Sequence, residues 1–187
     1  MVEKVIVVTG FGPFRQYKVN SSWEIAKCLF DTGIENELNC KLIKIEVPVS
    51  YKDVDEIIPK LWTEYKPTLM VHLGVSCFAK TLTVETTAHG HDYLKEDING
   101  ICPDSRCLAN DSKLETCLSI DCLKDYDICV SQDAGRYLCE YIYHKSLTIN
   151  KNQTIFIHVP ELSEDNTAQK LAKHLKLIIA KLLEQLN

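Results

Sequence analysis

The chain has 187 residues, of which 45% are hydrophobic, and it carries a formal net charge of −5 at pH 7. Apolar sequence in this amount suffices for one well-buried core, and we expect residues 1–187 to form a single domain. The 21 basic residues are scattered along the chain. Because they leave no basic stripe to contact a phosphate backbone, we expect no nucleic-acid partner.

The apolar stretches and the cysteines indicate the compartment. No stretch approaches the roughly 20 apolar residues of a membrane-spanning helix, and the apolar run near the N-terminus is too short for a secretory signal. The nine cysteines are an odd number spread over a mid-sized chain, unlike the dense, even sets of small secreted proteins. We therefore expect a cytoplasmic protein with reduced thiols and no contact with a membrane.

The first predicted elements are a strand, a loop and a helix. Residues 5–9 are apolar and β-branched, which predicts a strand. The loop at 10–14 reads Gly-Phe-Gly-Pro-Phe, and a helix is predicted to begin at Asn20. Ser21 and Glu24 have the spacing of a capping box at the start of this helix.

The next segments alternate between strand and helix. A strand is predicted over residues 42–49, and Ser50 is expected to cap a helix that ends at Pro67. Residues 68–73 form a continuous apolar run of strand length, which indicates burial on both faces. Residues 80–85 are a further candidate strand. The helix between these strands has apolar residues at helical period: Val54, Ile57, Ile58, Leu61 and Trp62.

The periodic pattern is lost between residues 89 and 123. We interpret this polar stretch as a less regular excursion from the domain. The spacing of its cysteines lacks the close pairs of structural zinc sites. Because His89 and His91 lie nearby in the sequence, a zinc-stabilised module stays open as an alternative. The cysteines are Cys102, Cys107, Cys117 and Cys122.

The remaining segments complete the alternating order. Residues 126–130 and 154–159 predict two strands, and Asn166 with Gln169 marks the start of a closing amphipathic helix. Strands that alternate with helices are typical of an α/β protein, and continuously apolar strands are typical of a sheet covered on both faces. We therefore predict a three-layer α/β/α sandwich around a central mixed, mostly parallel sheet.

Cys139 is the candidate nucleophile. Gly135 provides a hinge after the strand at 126–130, and helical spacing begins close to Cys139. In the first turn of a helix the backbone N–H groups are unpaired and the helix dipole is positive, which favours a thiolate and offers donors to an oxyanion. A small buried core cysteine is the alternative interpretation.

A thiol nucleophile needs a general base and a group that orients the base. His158 lies near the end of the last strand, and sites in α/β sheets assemble outside the carboxyl ends of strands. Glu85 ends the strand at 80–85, where an acidic side chain must find a partner. If these strand ends converge on Cys139, the three side chains form a catalytic triad. Structural roles stay open for His158 and for Glu85.

The other histidines are less suited to the role of base. His72 lies inside an apolar strand and is interpreted as a core histidine. His144 and His174 lie near lysines and are expected at the surface, and His89 and His91 fall in the irregular stretch.

Phe11 and Phe14 are the candidate substrate-binding residues of the loop at 10–14. Arg15 occupies the position of the third glycine of a dinucleotide-binding fingerprint, which disfavours a nicotinamide cofactor. Two aromatic rings that flank Gly-Pro in a loop after a strand are suited to wall a flat apolar slot. Ordinary core packing is the alternative for each ring alone.

Four separated segments resemble motifs of the pyroglutamyl-peptidase I cysteine peptidases, and of their animal members in particular. They occur in the order of the family's motifs and span nearly the whole chain. The resemblance implies an α/β fold and a cysteine-type omega peptidase that removes N-terminal pyroglutamyl groups. The segments are Val7–Phe14 with Val19–Trp23, Val71–Ser76 with Thr83–Glu85, Ser131–Cys139, and Phe156–Pro160.

The resemblance also implies roles for individual residues. It makes Cys139 the nucleophile, His158 the base and later the acid, and Glu85 the residue that orients His158. It implies that Phe11 and Phe14 sandwich the lactam ring of a pyroglutamyl peptide. It implies no metal and no organic cofactor, and its animal type favours a monomer.

Glu140 departs from many bacterial members, which have Asn directly after the nucleophile. Its charge would disfavour the Cys139 thiolate if the side chain pointed inward, and we expect it to face solvent or a basic neighbour. A catalytically impaired protein that binds pyroglutamyl peptides is kept as the alternative function.

Overall fold

The computed structural model describes residues 3–14, 18–103 and 113–186. Within these ranges it has eight strands, five α-helices and two short 3₁₀ turns. None of the described helices has the length and apolar character needed to cross a lipid bilayer. In chain order the elements are β1 Lys4–Phe11, α1 Ser21–Cys28, a 3₁₀ turn Phe30–Thr32, α2 Ile34–Leu38, β2 Cys40–Val47, α3 Tyr51–Tyr65, β3 Leu69–Val75, β4 Leu82–Glu85, β5 Thr87–Ala88, β6 Leu114–Glu115, a 3₁₀ turn Asp121–Leu123, β7 Ile128–Ser131, α4 Leu138–Asn150, β8 Thr154–Val159 and α5 Ala168–Glu184.

Six of the described strands form one sheet in the order β2-β1-β3-β8-β4-β7. Neighbouring strands are parallel except β4 and β8, which pair antiparallel. The last two strands of the sheet, β4 and β7, therefore run against the other four. β5 and β6 form a separate two-stranded antiparallel sheet. The predicted mixed, mostly parallel sheet is confirmed.

Helices cover both faces of the large sheet and give three layers. On one face α1 and α5 pack against alternate strand residues such as Val8 and Ile155. On the other face α3 and α4 pack against the intervening residues, such as Val7 and Phe156. Because successive side chains of a strand point to opposite faces, each central strand contributes to both cores. The predicted α/β/α sandwich is confirmed.

Side-chain caps fix the starts of α1 and α3. Ser50 caps α3 as predicted, because its Oγ accepts a hydrogen bond from the Asp53 N–H at 3.3 Å. The predicted capping box of α1 is wrong. Asn20 is the N-cap, and its Oδ1 accepts from the Ser22 N–H at 3.1 Å. Ser21 is already the first helical residue, so it cannot take the extended backbone conformation of a cap.

The stretch between residues 89 and 123 is irregular where the structure describes it, apart from β6 and one 3₁₀ turn. Two tyrosines anchor its first part to the domain. The Tyr51 hydroxyl donates to the Lys95 carbonyl at 3.0 Å, and the Tyr137 hydroxyl donates to the Glu96 carbonyl at 3.1 Å. These bonds hold the segment around Lys95 next to the N-termini of α3 and α4.

Candidate active site

Glu85 and His158 meet across the antiparallel strand pair of the large sheet. Glu85 lies opposite Phe156, and His158 lies opposite Thr83, so Glu85 and His158 are diagonal neighbours on one face. His158 Nδ1 is 2.8 Å from Glu85 Oε1, and both residues are buried. The sequence analysis expected the two residues to meet at the carboxyl ends of neighbouring strands. They do not meet in this way. β4 and β8 run in opposite directions, and their pairing register brings the two side chains together.

Cys139 is the second residue of α4, in agreement with the sequence prediction. The chain reaches it from β7 through a loop in which Gly135 has φ +85°, a conformation that favours glycine. The first helical turn closes with a bond from the Tyr141 N–H to the Tyr137 carbonyl. The N–H groups before Tyr141 have no intrahelical acceptor. Cys139 lines one cavity with His158 and Glu85 and interacts with the His158 ring, which is itself hydrogen-bonded to the Glu85 carboxylate.

Gly74 makes room for Cys139 above the sheet. It lies on β3 directly beside His158 in the parallel register. A Cβ at position 74 would be 2.6 Å from Cys139 Sγ and 2.7 Å from Phe156 Cζ. Both distances are far below van der Waals contact, so a glycine is needed for the thiol to approach the sheet. This role of Gly74 was not predicted from the sequence. A glycine near the end of a continuously apolar strand was the feature that could have indicated it.

Opposing influences set the charge on His158. Burial lowers the pKa of His158, but its interactions with Cys139 and Glu85 outweigh burial and raise the pKa to about 10. The raised pKa favours the imidazolium form of His158. Nδ1 is directed to Glu85, which leaves Nε2 for Cys139.

Glu140 is fully buried in a polar network beside Cys139. Its two carboxylate oxygens each accept from Arg136 Nη1 at 3.0 Å, and Oε1 lies 2.9 Å from His89 Nδ1. Arg136 Nη1 also donates to Asp133 Oδ1 at 2.6 Å. Burial raises the pKa of Glu140, and the hydrogen bonds from His89 and the charge of Arg136 oppose that rise. The expected basic neighbour is confirmed, whereas exposure of Glu140 to solvent is wrong.

His89, Asp133 and Glu140 also form the one group in the described residues whose ligand atoms have metal-site spacing, within 4.8 Å of one another. The Arg136 guanidinium already bonds to both carboxylates and supplies a positive charge between them without a metal ion. No described cysteine belongs to such a group, and Cys107 lies outside the described residues. Within the part of the chain that the structure describes, His89 is therefore not grouped with His91 or a cysteine, as the zinc-module alternative requires.

Two further histidines are buried. His72 is a core histidine as predicted, with Nδ1 2.8 Å from Thr9 Oγ1, and burial lowers its pKa to about 3. His144, expected at the surface, is buried within α4. A Cβ at Gly90 would lie 2.9 Å from His144 Nε2. Side chains at neighbouring positions of a helix point in different directions, so a lysine at position 145 does not predict that His144 is exposed.

Two cavities meet at Cys139. The larger has a volume of about 470 Å³, and its lining includes Cys139, His158 and Glu85. The smaller has a volume of about 80 Å³ and a mostly apolar lining that includes the two predicted phenylalanines. The structure thus brings all five predicted site residues to one pair of adjoining cavities. The smaller cavity is lined by Phe11, Phe14, Asn20, Val49, Val75, Tyr137, Leu138 and Cys139.

Side chains at the start of α1 brace the aromatic loop. Asn20 Nδ2 donates to the Gly12 carbonyl at 3.0 Å, and Ser22 Oγ accepts from the Phe11 N–H at 2.9 Å. These bonds tie the segment between Phe11 and Phe14 to a helix terminus. Asn20 also lines the smaller cavity and is a site residue that was not predicted from the sequence. The Asn-Ser-Ser triplet before a helix was the available signal.

The fold and the site together define a class. This is an α/β sandwich that brings a thiol, an imidazole and a carboxylate to one cavity and hydrogen-bonds the imidazole to the carboxylate, and these are the groups that cysteine hydrolases use. The sequence profile of Peptidase_C15, pyroglutamyl peptidase, matches residues 4–104. Pyroglutamyl-peptidase 1 of Homo sapiens is 36% identical over 194 residues, which cover 98% of this chain and 92% of the human protein. The chain belongs to the pyroglutamyl peptidase family, a family of hydrolases.

Other relatives agree with this membership. The pyrrolidone-carboxylate peptidase of Thermococcus onnurineus is 30% identical over 85% of this chain and 84% of its own length. The solved pyrrolidone carboxyl peptidase of Thermococcus litoralis superposes with a TM-score of 0.84 at 24% identity, over 98% of this chain and 94% of that one. Pyroglutamyl peptidase I of Bacillus amyloliquefaciens gives 0.82 at 21% identity, over 99% of both chains. At these identities the structures establish the fold, and the family resemblance drawn from the motifs is confirmed.

Proposed function

We propose that this chain removes the N-terminal pyroglutamyl group from peptides with a triad of Cys139, His158 and Glu85. The observation that carries the proposal is the meeting of Cys139, His158 and Glu85 in one open cavity, with His158 Nδ1 2.8 Å from Glu85 Oε1. Membership of the pyroglutamyl peptidase family supplies the substrate class. The mechanism uses side chains and backbone groups alone and needs no metal or organic cofactor.

In the first half of the reaction, Cys139 Sγ attacks the carbonyl carbon of the pyroglutamyl residue as a thiolate. The charge that develops on the carbonyl oxygen is stabilised by N–H groups in the first turn of α4, which have no intrahelical partner. The imidazolium of His158 then gives its proton to the nitrogen of the departing amine. The C–N bond breaks, the shortened peptide leaves, and the pyroglutamyl group remains on Cys139 as a thioester.

In the second half, His158 acts as a base. It takes a proton from water, and the resulting hydroxide attacks the thioester carbonyl. The C–S bond breaks, pyroglutamate leaves, and the thiolate and imidazolium are restored. Glu85 stays ionised throughout, and its bond to Nδ1 keeps the ring oriented and stabilises the charged form of His158.

The smaller cavity is suited to the pyroglutamyl ring. Phe11 and Phe14 supply flat apolar walls, while the Asn20 amide is a polar group that can bond to a lactam. No carboxylate is among the described residues that line this cavity. An ordinary peptide N-terminus would bring an ammonium group with no counter-ion, and the cost of burying that charge excludes it.

The proposal is tested with a fluorogenic pyroglutamyl amide. Cys139→Ala and His158→Ala should each abolish turnover while circular dichroism shows a folded protein. Cys129→Ala removes an exposed cysteine of β7 and serves as the matched control, which should retain full activity. Full activity in either triad variant would falsify the mechanism.

The catalytically impaired binding protein is the alternative in which Glu140 or an altered flap disables the triad. The Glu140 carboxylate is engaged by Arg136 and His89, so nothing in the described site favours this alternative. Binding of a pyroglutamyl peptide by the wild-type protein without turnover would restore it.

We also propose a cytoplasmic, monomeric protein that acts as one domain and binds no nucleic acid. The described cysteines are all free thiols, which suits a reducing compartment. Light scattering after gel filtration tests the monomer, and fractionation of cells tests the compartment. A stable dimer, or recovery from an oxidising compartment, would contradict these two parts.

A further inference from the structure

The two cavities at Cys139 differ in size and lining, and this difference bears on how a substrate of the proposed function lies in the site. The scissile bond must lie at Cys139 Sγ, so the acyl group and the leaving peptide extend from the sulfur in different directions. The smaller cavity holds about 80 Å³ and is mostly apolar, which suits the compact acyl group. The larger one, at about 470 Å³, is then the space left for the leaving peptide.

Phe78 stands at the larger cavity and contributes nothing to the core. It is 91% exposed and follows β3 in a turn, where the Ala79 N–H donates to the Ser76 carbonyl at 3.1 Å. Single exposed apolar residues are common on protein surfaces. Phe78 is set apart because it lines the same cavity as Cys139. A ring that is in water in the free protein gains free energy when a ligand covers it.

Lys95 is the available cation of the larger cavity. The other charged groups of its lining are engaged, since Glu85 bonds to His158 and Arg136 bonds to Asp133. The Lys95 ammonium has no ion pair with any described residue. Its backbone is held in place by the Tyr51 hydroxyl, which donates to the Lys95 carbonyl.

We infer, on the basis of the proposed function, that the larger cavity is the subsite for the leaving peptide and selects the residue next to pyroglutamate. Phe78 covers an apolar or aromatic side chain on that residue. Lys95 attracts a carboxylate at that end, which is the free C-terminal carboxylate of a pyroglutamyl dipeptide or an acidic side chain. The preferred substrates are short pyroglutamyl peptides that combine an apolar side chain with a nearby carboxylate.

The role of Lys95 is tested with two substrates that differ in one charge, pyroglutamyl-alanine and pyroglutamyl-alanine amide. Lys95→Gln should lower the ratio of kcat/KM for the acid to that for the amide by about 2- to 5-fold, the range of an exposed ion pair. In wild type, raising the salt to about 0.5 M should reduce the same ratio, because exposed charges are screened. Lys80→Gln is the matched control, since Lys80 is exposed on the same loop as Phe78 and does not line the cavity.

The role of Phe78 is tested with the amides of pyroglutamyl-phenylalanine and pyroglutamyl-alanine. Phe78→Ala should lower the ratio of kcat/KM for the first to that for the second by about 3- to 10-fold, the effect of losing part of an aromatic contact. Phe30→Ala is the matched control, since Phe30 is also exposed but lines neither cavity. Its ratio should equal that of wild type.

The outcomes distinguish failure of the subsite from failure of the proposed function. Ratios that stay at the wild-type value in both Phe78→Ala and Lys95→Gln would overturn the subsite, even with the enzyme fully active. If Lys80→Gln changed the acid-to-amide ratio of kcat/KM as much as Lys95→Gln does, the effect would come from the net charge of the protein. The proposed role of Lys95 would then be wrong. Failure of the wild-type protein to cleave any of the substrates would instead contradict the proposed function.

Discussion

Glu85 Oε1 and His158 Nδ1 lie 2.8 Å apart, and the two residues are on neighbouring strands that run in opposite directions. The reversal of β4 places the two residues diagonally on one face of the sheet. The second oxygen, Glu85 Oε2, is buried and has no hydrogen-bond partner in the described protein. Among the described residues, His158 is therefore the one side chain that is hydrogen-bonded to the Glu85 carboxylate.

Glu85→Gln should lower kcat/KM by about 100-fold, the order of a weakened acid–base group. The amide keeps the shape of the carboxylate but removes the charge that stabilises the imidazolium, so the loss should be smaller than that for Cys139→Ala or His158→Ala. Steady-state kinetics with the fluorogenic amide measure it. Glu56→Gln, at an exposed position of α3, is the control. Unchanged kinetics for Glu85→Gln would show that His158 needs no charged partner.

Gly74→Ala should displace Cys139, because the new Cβ would lie 2.6 Å from its Sγ. We expect kcat/KM to fall by about 100-fold, as for misplacement of a reacting group by an ångström, and the free energy of unfolding to fall by about 1–3 kcal/mol. The rate at which iodoacetamide alkylates Cys139 measures the reactivity of the thiol directly. In Gly74→Ala this rate should differ from that of wild type.

Gly10→Ala separates the two effects of Gly74→Ala. A Cβ at position 10 would lie 2.7 Å from the backbone of Ser22 and Trp23, on the opposite face of the sheet from Cys139. It should destabilise the protein to a similar degree, while the folded fraction keeps its thiol reactivity. Normal alkylation and turnover in folded Gly74→Ala would contradict the role of Gly74.

Local features of the site were predictable from sequence, and contacts between distant segments were not. The strand at 154–159, the Ser50 cap and the place of Cys139 in a helical first turn follow from periodicity and capping within a few residues. The pairing of Glu85 with His158 depends on the reversal of β4, which no local pattern encodes. The family resemblance was needed to predict that Glu85 and His158 form a pair.

Burial of polar groups was the second limit of prediction from sequence. Glu140 and His144 lie on a helix with mixed polar and apolar positions, and both are buried because other segments cover them. Arg136 could have been assigned to Glu140 from their i,i+4 spacing. The contribution of His89 could not, since it comes from 51 residues away.

The free energy of unfolding should fall as the pH rises from about 7 to about 9. The pKa of His158 is raised to about 10 in the folded protein, above the value of about 6.5 for an unperturbed histidine. The folded state therefore holds a proton that the unfolded state has lost, and the stabilisation is complete below about pH 6.5 and lost as the pH passes 10. Denaturant titrations should give a slope of up to about 1.4 kcal/mol per pH unit from this group.

His158→Gln should remove this slope between about pH 7 and 9. His72 does not interfere, because burial lowers its pKa to about 3, and its contribution is lost only as the pH falls below that of an unperturbed histidine. An equal slope in wild type and His158→Gln would show that Cys139 and Glu85 do not hold a proton on His158.

Glu140→Ala should reduce the free energy of unfolding by about 3 kcal/mol, because it removes a fully buried carboxylate from a charged network and leaves Arg136 with Asp133 as its remaining ion-pair partner. Arg136 would lose both of its bonds to this carboxylate, and His89 would lose its ring contact. Glu184→Ala breaks an exposed pair with Lys181 and should cost less than about 1 kcal/mol. Denaturant titrations of the two variants make the comparison. Equal costs would mean that the Glu140 network does not stabilise the loop that leads to Cys139, and that this loop is held by Gly135 and the helix terminus instead.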